Sequence, residues 1–173
     1  MSVFRKRIVI DTSSLIAVCI YPDRAPADIY KQALLRYQLV ASQATKTEIE
    51  TVLNRKKFDT WRPLETRMAW LALYFQNIEE HVPTQHFTDS ADPKDNMFLD
   101  LAVAANASAI VCSDPHLLNL HPFCANGSTI DILSLRDFKT VYLPALSHWI
   151  YVRWHGQATL FKYDSGLGNE YAG

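Results

Sequence analysis

Residues 8–15 read Ile8-Val9-Ile10-Asp11-Thr12-Ser13-Ser14-Leu15, and the fold turns on the change of character at Asp11. Three β-branched apolar residues with no polar alternation describe a short strand buried on both faces. Asp, Thr and Ser then offer oxygens to the unpaired N–H groups of a helix start. Leu15 to Ile20 continues as a short helix, closed by Tyr21-Pro22-Asp23. The same handover recurs downstream. Leu39-Val40-Ala41 passes to Ser42, and Ala109-Ile110-Val111-Cys112 passes to Ser113-Asp114-Pro115. Thr129-Ile130-Asp131-Ile132 is a weaker strand, followed by a helix around Leu135 to Tyr142.

Helical periodicity fills the intervals. Ile29, Ala33, Leu34 and Tyr37 share one face of a helix opening near Pro26, and Ile49, Val52 and Leu53 point inward from a helix running to about Lys57. Pro63 begins the longest amphipathic stretch, where Leu64, Met68, Leu71, Ala72, Phe75 and Ile78 recur at helical spacing. Another helix runs from about Asp95 to Asn106. Short apolar strands alternating with helices predict an α/β fold of three layers, a parallel twisted sheet with helices on both faces. That pattern covers residues 1–143 as one domain. In the extension 144–173, Trp149 to Arg153 and Thr159 to Tyr163 flank His155-Gly156-Gln157, which predicts a β-hairpin. Asp164 to Gly173, polar and Gly-bearing, reads as a mobile tail.

Composition narrows the function classes. The 173 residues carry 17 basic and 18 acidic side chains, a net charge of -1, so any nucleic-acid surface must be local. Three scattered cysteines, Cys19, Cys112 and Cys124, exclude a disulfide framework and show no metal-ligand spacing. Neither a signal peptide nor an apolar run long enough for a membrane span is legible, which makes the cytoplasm the expected location and a membrane no expected partner.

Acids stand where strands end. In open α/β sheets, ligands bind beyond the carboxyl ends of the strands. Asp11 and Asp114 follow two strands directly, Glu48 lies about one and a half turns into the helix after Leu39-Val40-Ala41, and Asp95 opens the helix leading to the Asp114 strand. They are separated by 37, 47 and 19 residues, so only a fold gathers them. Taken singly, each has a plain structural alternative: Asp11 and Asp114 as helix caps, Asp95 as a complement to a helix dipole, and Glu48 in a capping box with Thr45. Taken together, several carboxylates at one sheet edge repel one another unless a cation neutralises them. A hard divalent ion with oxygen ligands, Mg²⁺ or Mn²⁺, fits that need.

Four segments carry a family resemblance: Ile8-Val9-Ile10-Asp11-Thr12-Ser13; Glu48 to Leu53 with Arg55, Lys57 and Phe58; Asp92-Pro93-Lys94-Asp95-Asn96-Met97-Phe98-Leu99; and Val111 to Leu118. In order and spacing, over about residues 7 to 140, they resemble the successive motifs of PIN-domain nucleases, and among these the VapC-like toxin components. The resemblance implies a metal-dependent endoribonuclease, the toxin of a toxin–antitoxin pair, with Asp11, Glu48, Asp95 and Asp114 as its catalytic and metal-binding acids. It also implies Mg²⁺ or Mn²⁺, RNA, a cognate antitoxin and a homodimer. The chain departs from the pattern at Ser13, where many relatives have Asn, and at Pro115, His116 and Leu117, where some relatives add a fifth acid. Thr12, Ser13 and Ser113 are then hydroxyls that support the acids.

Arg55-Lys56-Lys57, with Arg62 close by, is the candidate nucleic-acid contact; its alternative is a solvated helix end. Trp70, Leu73 and Tyr74 beside the long amphipathic stripe, and the aromatic hairpin, add reasons to expect self-association. A receiver-type signalling domain would need a Lys to pair with its phosphate, and no strand supplies one. An Asp-nucleophile phosphatase would want an acid at Ser13. Two alternatives stay open: a catalytically silent RNA- or protein-binding module, and a structure-specific DNA nuclease.

Overall fold

The computed structural model describes residues 5–144, with the backbone of residues 150–154 and 157–161. Six strands form one sheet in the order β3-β2-β1-β4-β6-β5, with β1 at Arg7–Ile10, β2 at Gln38–Ala41, β3 at Ile78–Glu80, β4 at Ala109–Val111, β5 at Phe123–Ala125 and β6 at Ser128–Leu133. All neighbours run parallel except the β5/β6 edge pair. At the centre Ile8, Val9 and Ile10 pair with Ala109, Ile110 and Val111.

Alternation along these strands builds the layers. Ile8, Ile10, Leu39 and Val111 face a cluster with helices α1 (Thr12–Ile20), α2 (Ala25–Arg36), α3 (Gln43–Leu53), α4 (Leu64–Gln76) and α7 (Leu135–Tyr142). Val9, Val40, Ile110 and Ile132 face the opposite cluster with α5 (Asn96–Ala104) and α6 (Pro115–Leu118). The α/β, three-layer expectation is what the chain adopts. No helix of the described residues is long and apolar enough to cross a membrane.

Two strands were not expected. Ile78 closes the sequence-derived helical stripe, yet α4 ends at Gln76, capped by Asn77, and Ile78 starts β3 beside Leu39. Phe123–Ala125 turns back on β6 through Asn126 and Gly127, both at positive φ (52° and 76°), and makes the sheet edge antiparallel. Asn-Gly is the dipeptide that a two-residue hairpin turn favours, because both positions need a left-handed backbone.

The orientation of α4 also differs from its apolar pattern. Its buried residues are Arg67, Leu71 and Tyr74, while Leu64 is 45% exposed and Ala72 is exposed. Arg67 explains the rotation. Fully buried, it donates to the carbonyl oxygens of Leu53 and Arg55 and to the Asp59 carboxylate, and so closes the C-terminal end of α3. Tyr74, buried beneath Trp70, stacks with it at 5.7 Å, and Trp70 also meets Tyr30. Those two aromatics serve the fold; of the three expected at an interface, only Leu73 is exposed.

Ile150–Trp154 (β7) and Gln157–Phe161 (β8) pair antiparallel as a separate two-stranded sheet, the expected hairpin. The expected tail, Asp164 to Gly173, lies outside the described residues.

Candidate active site

Strands β1 and β4 are adjacent and parallel, so Asp11 and Ser113–Asp114 emerge side by side at the carboxyl edge of the sheet. Asp11 is 3% exposed and does two things. Its Oδ1 accepts from the backbone N–H of Ser14 (2.8 Å), capping α1, and its Oδ2 accepts from the Ser13 hydroxyl (2.5 Å) and the Ser113 N–H (3.4 Å). Ser13 and Ser113 hydroxyls meet at 2.7 Å, tying the two loops together. Thr12, from the first turn of α1, donates to the Glu48 carboxylate on α3. Five polar residues are thereby held in two links, Asp11 with Ser13 and Ser113, and Thr12 with Glu48.

The capping alternatives resolve case by case. Asp11 and Asp114 do cap; Asp114 Oδ1 accepts from the His116 N–H at 2.7 Å. Glu48 takes no part in a capping box. Ser42 and Thr45 form that box between themselves, with Ser42 N–H donating to the Thr45 hydroxyl at 3.0 Å. Asp95 stands at the N-cap position of α5 but makes no capping bond, because the preceding 3₁₀ turn, Pro93–Asp95, is capped by Asp92, whose carboxylate accepts from the Lys94 N–H at 3.0 Å.

Asp95 is consequently the group under electrostatic stress. Its Oδ2 is buried without a hydrogen-bond partner. Burial, and then the charges of Asp114, Asp92, Asp11 and Glu48, push its carboxyl up to about 6. Five carboxylates therefore share one neighbourhood. Asp92 is the acid that sequence reasoning misses, and its place three residues before Asp95, across an Asp-Pro step, is the signal for it. Beside them the Cys112 thiol at the end of β4 is pushed up to about 12, first by burial and next by Asp11, which keeps it an unreactive core group.

A divalent cation fits this donor set on one structural observation: the orphaned Asp95 Oδ2 lacks a partner and the surrounding charge lacks a counterion. Among the described residues, no three His, Cys, Asp or Glu side chains stand close enough together to cage an ion directly.

The expected cationic contact lies at the far end of α3. Arg55, Lys56 and Lys57 are exposed, with the Lys57 ammonium 4.9 Å over the Phe58 ring, while Arg62 is half-buried. Glu48 precedes Arg55 by seven residues, about 10 Å along the helix direction, so this group flanks the acids without touching them.

Comparison with known proteins agrees with this architecture. The family model described as PIN domain matches residues 7–116, a span that includes all five acids. The chain is similar to solved structures of VapBC2 from Rickettsia felis bound to a DNA fragment from their promoter (10% identity, TM-score 0.48, covering 73% of this chain and 98% of that one). It is also similar to PAE2754 from Pyrobaculum aerophilum (12% identity, TM-score 0.49, 79% and 96% covered). A third is the T. brucei RRP44 PIN domain (17% identity, TM-score 0.39, 82% and 83% covered). No curated protein matches the sequence.

Proposed function

The chain belongs to the PIN domain family, and from that premise we propose that it is a metal-dependent endoribonuclease, the toxin component of a toxin–antitoxin pair. The observation that carries the reading is Asp95: a carboxyl left without a partner among four others, at a sheet edge where ligands bind. In this reading residues 1–143 are the nuclease domain and 144–173 an extension.

Asp11, Asp95 and Asp114 would hold Mg²⁺ or Mn²⁺. When bound, such an ion supplies positive charge against the negative charge that develops on the phosphate during hydrolysis. The chain's own residues do the rest. The hydroxyls of Ser13 and Ser113 fix the angle of Asp11. Thr12 fixes Glu48, which orients the attacking water. Asp95 surrenders the proton it holds up to about pH 6 when opposing charge arrives. Arg55, Lys56 and Lys57 hold the RNA backbone away from the cut.

Purified protein should cleave RNA with Mg²⁺ or Mn²⁺ present and lose that activity on chelation and in Asp11→Asn. Cleavage at full rate under both treatments sinks the proposal. RNA bound but uncut favours the silent binding module. Cleavage confined to DNA favours the DNA nuclease. The VapC-like resemblance brings a cognate antitoxin and a homodimer with the reading, and a cytoplasmic location goes with it. Sedimentation decides the last: a mass of 19.7 kDa at micromolar protein rejects the dimer.

A further inference from the structure

Next to the acids is a second, differently made site. A cleft of about 170 Å³ opens at the carboxyl ends of β2 and β3, lined by Ala44, Val82, Pro83, His86, Met97 and Asp100 among others. Its two helical walls, α3 and α5, also carry two of the acids: Ala44 precedes Glu48 on α3 by four residues, about one helical turn, and Met97 follows Asp95 by two.

Ala44, Val82, Pro83 and Met97 give the wall its apolar part; Ser42, Gln43, Glu80, His81, His86 and Asp100 are its polar part, with His81 held by Glu79 at 2.9 Å. Asp100, 9% exposed on the otherwise apolar α5, accepts from the Phe87 N–H (2.7 Å) and from His86 Nδ1 (2.9 Å). A carboxylate only accepts, so Nδ1 carries the hydrogen of the neutral ring and Nε2 is left as an acceptor. The His86 side chain is 83% exposed and covers no core. A buried carboxylate thus sets the tautomer and direction of a ring that the fold does not need. Lys46 pairs with Glu80 at the same cleft (2.9 Å).

We propose that this cleft receives one unstacked base of a single-stranded nucleic acid, flanking the phosphate held at the acids, with Val82, Pro83 and Met97 against the base and the His86 ring stacked on it. Single strands are bound in this manner, by aromatic faces and by hydrogen bonds to exposed base edges. The inference rests on the nuclease reading above, and it adds a residue that selects the base beside the cut.

The test is fluorescence anisotropy with short labelled single-stranded oligoribonucleotides, each made abasic at one successive position. The protein is the full chain carrying Asp11→Asn, so that strands stay intact. One abasic position should weaken binding about tenfold, the loss expected when one base loses its stacking partner. His86→Ala should weaken the intact strand equally, add nothing to that abasic strand, and be largely rescued by His86→Phe. Affinities within twofold for His86→Ala on every strand overturn the proposal, as does a loss that adds to every abasic loss; a cleft that instead serves a protein partner gives the first of these results. Wild-type cleavage without His86 coupling sinks the cleft and leaves the nuclease. Coupling without wild-type cleavage does the reverse.

Discussion

Arg67 and Asp95 are both charged groups drawn out of water, and the protein treats them in opposite ways. Arg67 is 0% exposed and has been given partners on its terminal nitrogens: two carbonyls at the end of α3 and the Asp59 carboxylate, leaving Nε alone unsatisfied. Asp95 has been given neighbours of its own sign, and one of its oxygens faces nothing. A charge recruited for stability is paired, because an unpaired buried charge costs several kcal/mol. A charge left among its own sign at a sheet edge suits the role proposed for Asp95 above. The contrast sets a site built for stability against the one proposed for function.

Substitution should push the two sites in opposite directions. Arg67→Met strips three hydrogen bonds from the end of α3 and should destabilise the fold by about 3 kcal/mol, the low end for breaking a buried pair because Asp59 can turn to water. Urea denaturation measures it, and a loss under 1 kcal/mol would mean that Arg67 is not the lock on α3. Asp95→Asn should instead stabilise, by about 1–2 kcal/mol at pH 7 after discounting for partial solvent access. The sign follows from linkage. The folded protein holds this proton up to about pH 6, against 3.8 for the unperturbed group, so wild-type stability falls as pH rises through that window. The gap between Asn and wild type should be absent below about pH 4 and complete above about pH 6. A gap that does not change with pH would falsify the charge-repulsion account. The smallest effect sharpens the comparison: Mg²⁺ at a few times its Kd should raise wild-type stability by about 1 kcal/mol and leave Asp95→Asn nearly unmoved, while Arg67→Met keeps the whole increment. Thermal melts with and without the ion decide it.

Local signals served well where local physics governs. Ile8-Val9-Ile10 and Ala109-Ile110-Val111 read as buried strands and are central ones, and Asp11, Ser42 and Asp114 read as helix starts and cap α1, α3 and α6. The Asn126-Gly127 turn was equally legible and carried β5 with it, though three residues ending in the exposed Cys124 and half-buried Ala125 look little like a strand. Two polar residues one turn apart on an apolar helix, Asn96 and Asp100, were a further readable signal. They bind the backbone N–H groups of Ser90 and Phe87, and so strap an extended segment along α5 in place of a strand.

What failed was periodicity on α4. Leu64, Met68, Leu71, Ala72, Phe75 and Ile78 mark an apolar stripe, but the helix turns Arg67 inward because the carbonyls at the end of α3 need a donor, and that need is written in a different part of the chain. The four acids were legible as candidates, but the setting of each was not, for the same reason in a sharper form. The sequence by itself determined the strands, the handover to each helix and the kinds of residue at each strand end, since these depend on neighbours a few positions apart. Only the tertiary structure decided that Asp11 and Asp114 are fixed by each other's loops, that Glu48 is held by Thr12, and that Asp95 is the carboxylate without a partner. A charge's cost is set by what lies within a few ångströms in space, and besides the nearby Asp92 those neighbours come from residues 11, 48 and 114, which no local pattern connects to Asp95.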